Sequence, residues 1–272
     1  MGGRSMSGTP ATGYAYYVSA TAAAPGFTAF SAMHFWTVMV CGAVMVAMAA
    51  AGSMVQRKSE RAEWWFRHVY GWLCFGVWSF SVTWYMQRVH FVWKESLPLQ
   101  FCDMGLLVAG GVLLTRARWL RGLLYFWTCT FTVQAFLTPV LDSGPTSMNF
   151  ALFWLSHTMI AGPAIYDVVV GKFRPRWSDA VRSYVISFLY ATVLMITDYL
   201  TGWNYGYVGP TKPGARTILD VLGDYPLRVL WMVLIASVGF FLVWLPWGIG
   251  KKKQGAGSGE SRIKNVELRI KN

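Results

Sequence analysis

Charge is scarce in this sequence. Only 13% of its 272 residues are charged, while 55% are hydrophobic and the mean hydropathy is +0.39. Because a soluble globular protein carries charge on about a quarter of its residues, the composition indicates a polytopic membrane protein. The net charge of +12 does not predict a nucleic-acid partner, since the basic residues lie between apolar runs and at the C-terminus.

Paired cysteine motifs are also missing. The four cysteines, Cys41, Cys74, Cys102 and Cys129, all lie within apolar runs and none lies in a loop. This arrangement leaves no disulfide framework and no paired metal-binding motif. We therefore predict no metal and no other cofactor.

Long apolar runs take up most of the chain. Each is close to the roughly 20 residues that span a bilayer, so they predict an all-α fold, a bundle of seven transmembrane helices. The runs are 30–54, 65–86, 97–114, 119–140, 149–170, 180–201 and 227–249.

Basic residues predict the orientation of this bundle. Of the 24 lysines and arginines, 18 follow the first, third and fifth runs or lie in the C-terminal tail, and six lie on the other side. The positive-inside rule makes the first group cytoplasmic, so the N-terminus is predicted outside and the C-terminus in the cytoplasm.

The chain divides into three predicted parts. Residues 1–29 form a flexible outside tail, because they lack the basic and compact apolar regions of a signal peptide. Residues 30–250 form the transmembrane domain. Residues 251–272 form a flexible, basic cytoplasmic tail, which we expect to contact anionic lipid headgroups.

Polar residues in hydrocarbon are costly, and here they collect at one depth. In the predicted orientation they fall in the outer half of the membrane or at its outer surface, although they come from different helices. They therefore predict a single vestibule that opens outward. These residues are His34, His90, Cys102, Gln134, His157, Asp198 and Asn204.

Cys102 is the candidate nucleophile. Pro98 suits the first turn of a helix, which places Cys102 where free N–H groups and the helix dipole favour a thiolate. His157 is the candidate base, and the side-chain amides of Gln134 and Asn204 are candidate partners for an oxyanion. A simpler role for each, as a packed side chain or an interhelical hydrogen-bond partner, stays open.

Over about residues 33–247 the chain resembles the YwaF-like integral membrane family, through short motifs in a fixed order. A eukaryotic relative, transmembrane protein 164, is described as a cysteine-dependent acyltransferase on phospholipids. The motifs are His34-Phe35, Leu97-Pro98-Leu99-Gln100-Phe101-Cys102, Gln134-Ala135-Phe136-Leu137-Thr138-Pro139, Ser156-His157, Asn204-Tyr205, Lys212-Pro213 and Leu219-Asp220-Val221-Leu222-Gly223.

This resemblance implies an acyltransferase that acts on a membrane phospholipid or lysophospholipid, in a bacterial plasma membrane. Cys102 and His157 would be catalytic. The family often has histidine where this chain has Gln100, so the role of base is left to His157. Substrate contacts are expected from His34, Gln100, Gln134, Asp198 and Asn204.

Other functions remain open. An acyl-ester hydrolase would use the same residues with water as acceptor. A small-molecule or ion-coupled transporter would use the polar cluster as its binding site, although no inverted repeat is present and the inner half has few polar groups. A haem or metal site on His34, His90 and His157 is disfavoured, because no two of them have the spacing of a ligand pair.

Accessibility mapping tests the predicted orientation. We expect a cysteine in Asn204→Cys to react with a membrane-impermeant reagent in intact cells. The cysteine in Lys172→Cys should react only after permeabilisation, because Lys172 lies in a basic loop. The reverse pattern would contradict the predicted topology.

Overall fold

Helices make up nearly all of the chain that the computed structural model describes, which is residues 26–89, 91–94, 96–210 and 221–270, with side chains as far as residue 249. These ranges contain no strand. The helices are α1 (Ala32–Lys58), α2 (Glu60–Tyr85), α3 (Phe101–Thr115), α4 (Arg118–Trp127), α5 (Val133–Leu137), α6 (Met148–Val169), α7 (Trp177–Thr201) and α8 (Leu227–Ile270).

Helices α4 and α5 belong to one continuous helix. A π-helical segment, Thr128–Thr132, joins them without a break, so the described chain has seven helical rods. Several predicted features lie outside the described residues. They are His90, the motif Lys212-Pro213, Leu219-Asp220 and the first 25 residues of the predicted outside tail.

Three of the described helices are long and apolar enough to cross a membrane, namely α1, α7 and α8 over Leu227–Ile249. Helix α3 is apolar but has only 15 residues, and α2 and α6 carry buried charged side chains at Glu63 and Asp167. The fold is thus that of an integral membrane protein, while the number of spans and their orientation remain predictions.

Two helices begin at different residues from those predicted, because of their N-terminal caps. Helix α2 begins at Glu60 rather than at residue 65, since the Ser59 hydroxyl accepts a hydrogen bond from Ala62 N–H. Helix α3 begins at Phe101 rather than at residue 97, since Asp103 Oδ2 accepts from Gln100 N–H at 3.0 Å. The prediction that Pro98 lies in the first turn is therefore wrong, but Cys102 still does.

Within the described residues, the structure shows no change in packing at the predicted boundary at residue 30 and no helix end at the one at residue 250. Phe27 is buried and packs its ring 5.5 Å from the His34 ring, so packing begins before residue 30. Helix α8 continues to Ile270, through most of the segment predicted to be flexible. The division of the chain into tails and domain stays a prediction.

Helix α3 lies at the centre of the bundle. It packs on α2, α4 and α6, while α1 packs on α2 and α6, and α7 packs on α4 and α8. The main core joins α2, α3, α4 and α6. Its fully buried members are Tyr70, Cys74, Leu106, Ala109, Val112, Leu113, Leu124, Ile160, Tyr166 and Val170.

Ion pairs fasten one end of the bundle. Glu63 Oε1 accepts from Arg116 Nη2 at 2.7 Å and from Tyr166 Oη at 2.8 Å, which joins α2, α6 and the residue after α3. Asp167 on α6 pairs with Arg121 on α4 at 2.8 Å. Separating such a partly buried pair would leave a charge without its partner, which is energetically unfavourable. These contacts therefore hold the helix ends together.

The other end contains irregular backbone, residues 96–100, that is held by a turn after α7. Tyr205 Oη donates to Trp93 O at 2.9 Å and accepts from Leu97 N–H at 3.0 Å. Tyr190 Oη donates to the Leu99 carbonyl at 2.7 Å. Gln100 Oε1 accepts from Gly206 N–H at 2.9 Å. We call these four hydrogen bonds the α3 clamp.

Close helix packing gives a first prediction for stability. A Cβ on Gly110 would lie 2.7 Å from Phe75 Cε2, whereas one on Gly76 would meet nothing within 4 Å. We expect Gly110→Leu to lower the free energy of unfolding by about 1–3 kcal/mol and Gly76→Leu to leave it nearly unchanged. Thermal unfolding in detergent measures both, and equal effects would contradict this packing.

The α3 clamp gives a second prediction. In Gln100→Ala the Gly206 N–H loses its acceptor, which costs about 1–3 kcal/mol. We expect faster hydrogen exchange at residues 203–209 in that variant. Gln87→Ala is the matched control, because Gln87 is exposed. Unchanged exchange in Gln100→Ala would show that the clamp does not hold the turn.

Candidate functional site

A cavity of about 1850 Å³ lies at the end of the bundle opposite the ion pairs. Its walls come from the last turns of α2, the middle of α7, α5, and the N-terminal parts of α3, α6 and α8. Most of this lining is apolar. A space this large accommodates a ligand with long hydrocarbon chains.

Cys102 and His157 meet at the wall of this cavity. The Sγ atom of Cys102 lies 3.1 Å from Nε2 of His157. On the other side of the ring, Nδ1 lies 2.6 Å from the carbonyl oxygen of Phe153. Because a carbonyl oxygen only accepts, Nδ1 carries the ring proton and Nε2 presents its lone pair to the thiol.

Local sequence explains how the two side chains come so close. Gly105 follows Cys102 by three residues on α3, and Ile160 follows His157 by three residues on α6. A Cβ on Gly105 would lie 3.2 Å from Ile160 Cδ1, which is a tight contact, so a small residue here favours the close approach of the two helices. Gly105 thus helps to bring the sulfur and the imidazole together one turn away.

The His157 ring is held by aromatic packing as well as by its hydrogen bond. Its centroid lies 4.3 Å from that of Phe153 and 6.4 Å from that of Phe136, which meets it edge-on. The imidazole is 6% exposed. Such packing restricts the ring to one orientation and keeps bulk water from Nε2.

Three of the residues predicted to contact substrate do line the cavity, but two of them are already engaged. Gln100 Oε1 accepts from Gly206 N–H, and Asn204 Oδ1 accepts from Gly209 N–H at 3.0 Å. The side chain of Gln134 makes no hydrogen bond within the described part of the chain and is exposed to the cavity.

Two other predicted contact residues do not line the cavity, so we correct their assignment. His34 accepts from Phe30 N–H through Nδ1 and donates to the Phe136 carbonyl through Nε2, both at 3.0 Å, so both ring nitrogens are occupied. Asp198 is fully buried and accepts from Tyr205 N–H at 2.9 Å. Both hold the backbone that surrounds the cavity.

Sequence reasoning missed three features of the site. The Phe153 carbonyl orients His157. The sequence could have predicted this contact, because the carbonyl four residues before a helical side chain lies close to it. Tyr190 positions the residues before α3, and nothing in its sequence context distinguishes it from other aromatic residues. The π-helical segment lines the cavity with Cys129, Thr130 and Phe131, and π-helical turns recur at functional sites.

The described residues contain no group of three histidine, cysteine or acidic side chains that is arranged to hold a metal ion. The chemistry that these side chains offer on their own is proton transfer and nucleophilic attack. A thiol beside a neutral imidazole, in a large apolar cavity, is suited to attack on an acyl group attached to a lipid.

Comparison with known proteins gives one match. The TMEM164 family matches residues 29–244, which covers most of the chain. No curated protein and no solved structure matches it. The matched range includes both residues of the Cys102–His157 contact and every residue that lines the cavity except Gly26. The chain is therefore a member of the TMEM164 family of membrane proteins.

Proposed function

We propose that this protein is a phospholipid acyltransferase that uses Cys102 as nucleophile and His157 as base. The observation that carries the proposal is the contact of 3.1 Å between Cys102 Sγ and His157 Nε2, with the ring proton held on Nδ1 by Phe153. This is the arrangement of an activated nucleophile, in which the base is oriented by a third group.

In the first step a phospholipid ester binds with its carbonyl carbon beside the sulfur. The thiol proton moves to His157 Nε2 as the carbon–sulfur bond forms, which gives a tetrahedral intermediate. The carbon–oxygen ester bond then breaks. The leaving alkoxide takes the proton from Nε2, so the products are a lysophospholipid and an acyl thioester on Cys102.

In the second step a lysophospholipid hydroxyl attacks the thioester. His157 Nε2 takes the hydroxyl proton, the carbon–sulfur bond breaks, and the departing sulfur takes the proton from His157. The products are a new phospholipid ester and the free thiol, so the cycle closes without a further reactant. With water in place of the hydroxyl, the same steps release a fatty acid.

The negative charge of each tetrahedral intermediate requires hydrogen-bond donors. Helix α3 begins at Phe101, so the N–H groups of Phe101 and Cys102 have no carbonyl four residues back within the helix. We assign these N–H groups, together with the Gln134 amide, to oxyanion stabilisation. The apolar lining of the cavity lowers the local supply of water, which favours transfer over hydrolysis.

A transport function has less support. The main core and the ion pairs of Glu63 and Asp167 lie between the cavity and the other end of the bundle. A transport path needs polar groups along this distance, whereas the buried core residues of α3 and α6 are mostly aliphatic. The cavity thus has the form of a substrate site and not of a path through the bundle.

The proposal extends to orientation and lipid contacts. With the N-terminus outside, the cavity opens toward the outer leaflet of a bacterial plasma membrane, and the basic segment 251–272 contacts anionic lipid in the inner leaflet. The partners are membrane phospholipids and lysophospholipids.

Acyl exchange between a labelled phospholipid and a lysophospholipid tests the mechanism. We expect His157→Ala to lower the rate about 10²–10⁴-fold, the usual contribution of a general base. Cys102→Ser should lose a comparable amount, because residues that act as a unit do not add. The double variant should be no slower than the worse single variant.

Cys129→Ser is the matched control, because Cys129 lines the same cavity and has no described contact with a histidine. It should keep its activity, as should Cys41→Ser and Cys74→Ser. A thiol-reactive lipid should label Cys102 first. Retained acyl exchange in a folded Cys102→Ser variant would disprove the covalent mechanism.

A further inference from the structure

Helices α5 and α8 both form part of the cavity wall. Helix α8 touches the π-helical segment at Gly239, where a Cβ would lie 3.3 Å from Thr130 Cγ2. The next residue, Phe240, stacks on Phe126 with ring centroids 5.2 Å apart. Beyond this point the two helices separate, since α5 makes no comparable packing contact with α8 among the described residues.

Both walls of this gap are also walls of the cavity. Gln134, Ala135 and Thr138 line the cavity from α5, and Leu230, Val233 and Ala236 line it from α8. The three residues of α8 are spaced at three-residue intervals, so they lie along one face of the helix. We call the gap between these six residues the α5–α8 cleft.

The opposite side of α8 is closed. Tyr184 on α7 and Ser237 on α8 form a hydrogen bond of 2.9 Å, and the Tyr184 ring meets that of Phe240 at 5.7 Å. Packing between α7 and α8 therefore prevents access from that side. The α5–α8 cleft is the side on which helix packing leaves the cavity wall open.

The surroundings of the cleft identify its occupant. The outer edges carry exposed aliphatic side chains, with Leu137 on α5 58% exposed and Leu230 on α8 56% exposed. Helix α8 is apolar and almost wholly unburied along its membrane-spanning length, so its exposed face contacts lipid acyl chains. The inner edge carries the amide of Gln134 and the hydroxyl of Thr138, which suit an ester or glycerol oxygen.

We propose that the α5–α8 cleft is the lateral entrance through which a bilayer phospholipid passes an acyl chain from the membrane to the Cys102 cavity. This inference rests on the proposed function for the fate of the lipid, but the passage itself needs no reaction. The acyl chain stays in an apolar environment throughout, so the passage avoids the unfavourable exposure of that chain to water.

A bulky residue in the cleft tests this. Ala236 is half-buried and lines the cavity, so the indole in Ala236→Trp projects into the gap. Leu234→Trp is the matched control, because Leu234 lies on the same helix, is 46% exposed and does not line the cavity. Val233→Trp is a second blocking variant, and thermal unfolding identifies any variant that fails to fold.

The first measurement uses phosphatidylcholine with a diazirine in one acyl chain, in nanodiscs. On illumination we expect crosslinks to peptides of α5 and α8 and to Phe131 inside the cavity. Crosslinks to the interior should fall at least about tenfold in Ala236→Trp and Val233→Trp, because the indole fills the gap through which the acyl chain would pass. They should be unchanged in Leu234→Trp.

The second measurement separates passage from chemistry. Acylation of Cys102 by a water-soluble short-chain thioester should proceed equally in all four proteins, since that reagent enters from the mouth. Long-chain acyl exchange should fall only in the two blocking variants. Crosslinking to the interior that persists in both folded blocking variants would overturn the lateral entrance. If the short-chain thioester acylates Cys102 in none of the four proteins, the proposed function is overturned instead.

Discussion

The α3 clamp is the interaction on which the rest of the site depends. Irregular backbone at membrane depth is tolerated only where its polar groups find partners within the protein. In residues 96–100, Tyr190 and Tyr205 supply partners to Leu99 O and Leu97 N–H, while the Gln100 side chain accepts from Gly206 N–H in the turn after α7. Because the clamp supplies the missing partners, α3 can begin at Phe101 instead of continuing outward as helix. That early start leaves space for the cavity and places Cys102 in a first helical turn.

The two ends of the bundle serve different purposes, and the distribution of polar groups reflects this. At one end, Glu63 and Asp167 each have arginine partners, so the helix ends are tied together by charge. At the other end, hydrogen bonds between side chains and backbone groups hold turns around an open space. Helix α3 reaches both ends and packs on α2, α4 and α6 between them. The ion-paired end therefore supports the open end that contains the cavity.

The sequence predicted which polar side chains share a depth, but it did not predict the direction in which each side chain points from its helix. The apolar runs and the basic loops together indicated that Cys102, Gln134 and His157 lie at one level, and the structure brings Cys102 and His157 into contact. The same reasoning included His34 and Asp198, which make hydrogen bonds to backbone groups and do not line the cavity. Apolar content does not show which partner such a side chain finds.

The sequence also did not predict the first residue of each helix or the π-helical segment between α4 and α5. Apolar content does not reveal that the side chains of Ser59 and Asp103 cap α2 and α3, since each cap depends on the geometry of one side chain. The π-helical segment Thr128–Thr132 has no compositional mark that separates it from the α-helix on either side. Family resemblance indicated the identity of the site residues, whereas only packing showed that Gln100 holds a turn.

The shortness of α3 has a consequence for the lipid rather than for the protein. Its 15 residues correspond to about 22 Å of helix, whereas the hydrocarbon core of a bilayer is about 30 Å thick. When its C-terminal end, beside Arg116, is placed at one boundary, its first turn lies several ångströms beneath the other. Under the proposed function, a phospholipid that reaches the Cys102 sulfur therefore has to sink below its neighbours and carry its headgroup down with it. The polar residues at the rim, such as Asn149 and Ser147, would then replace the water that the headgroup leaves at the surface.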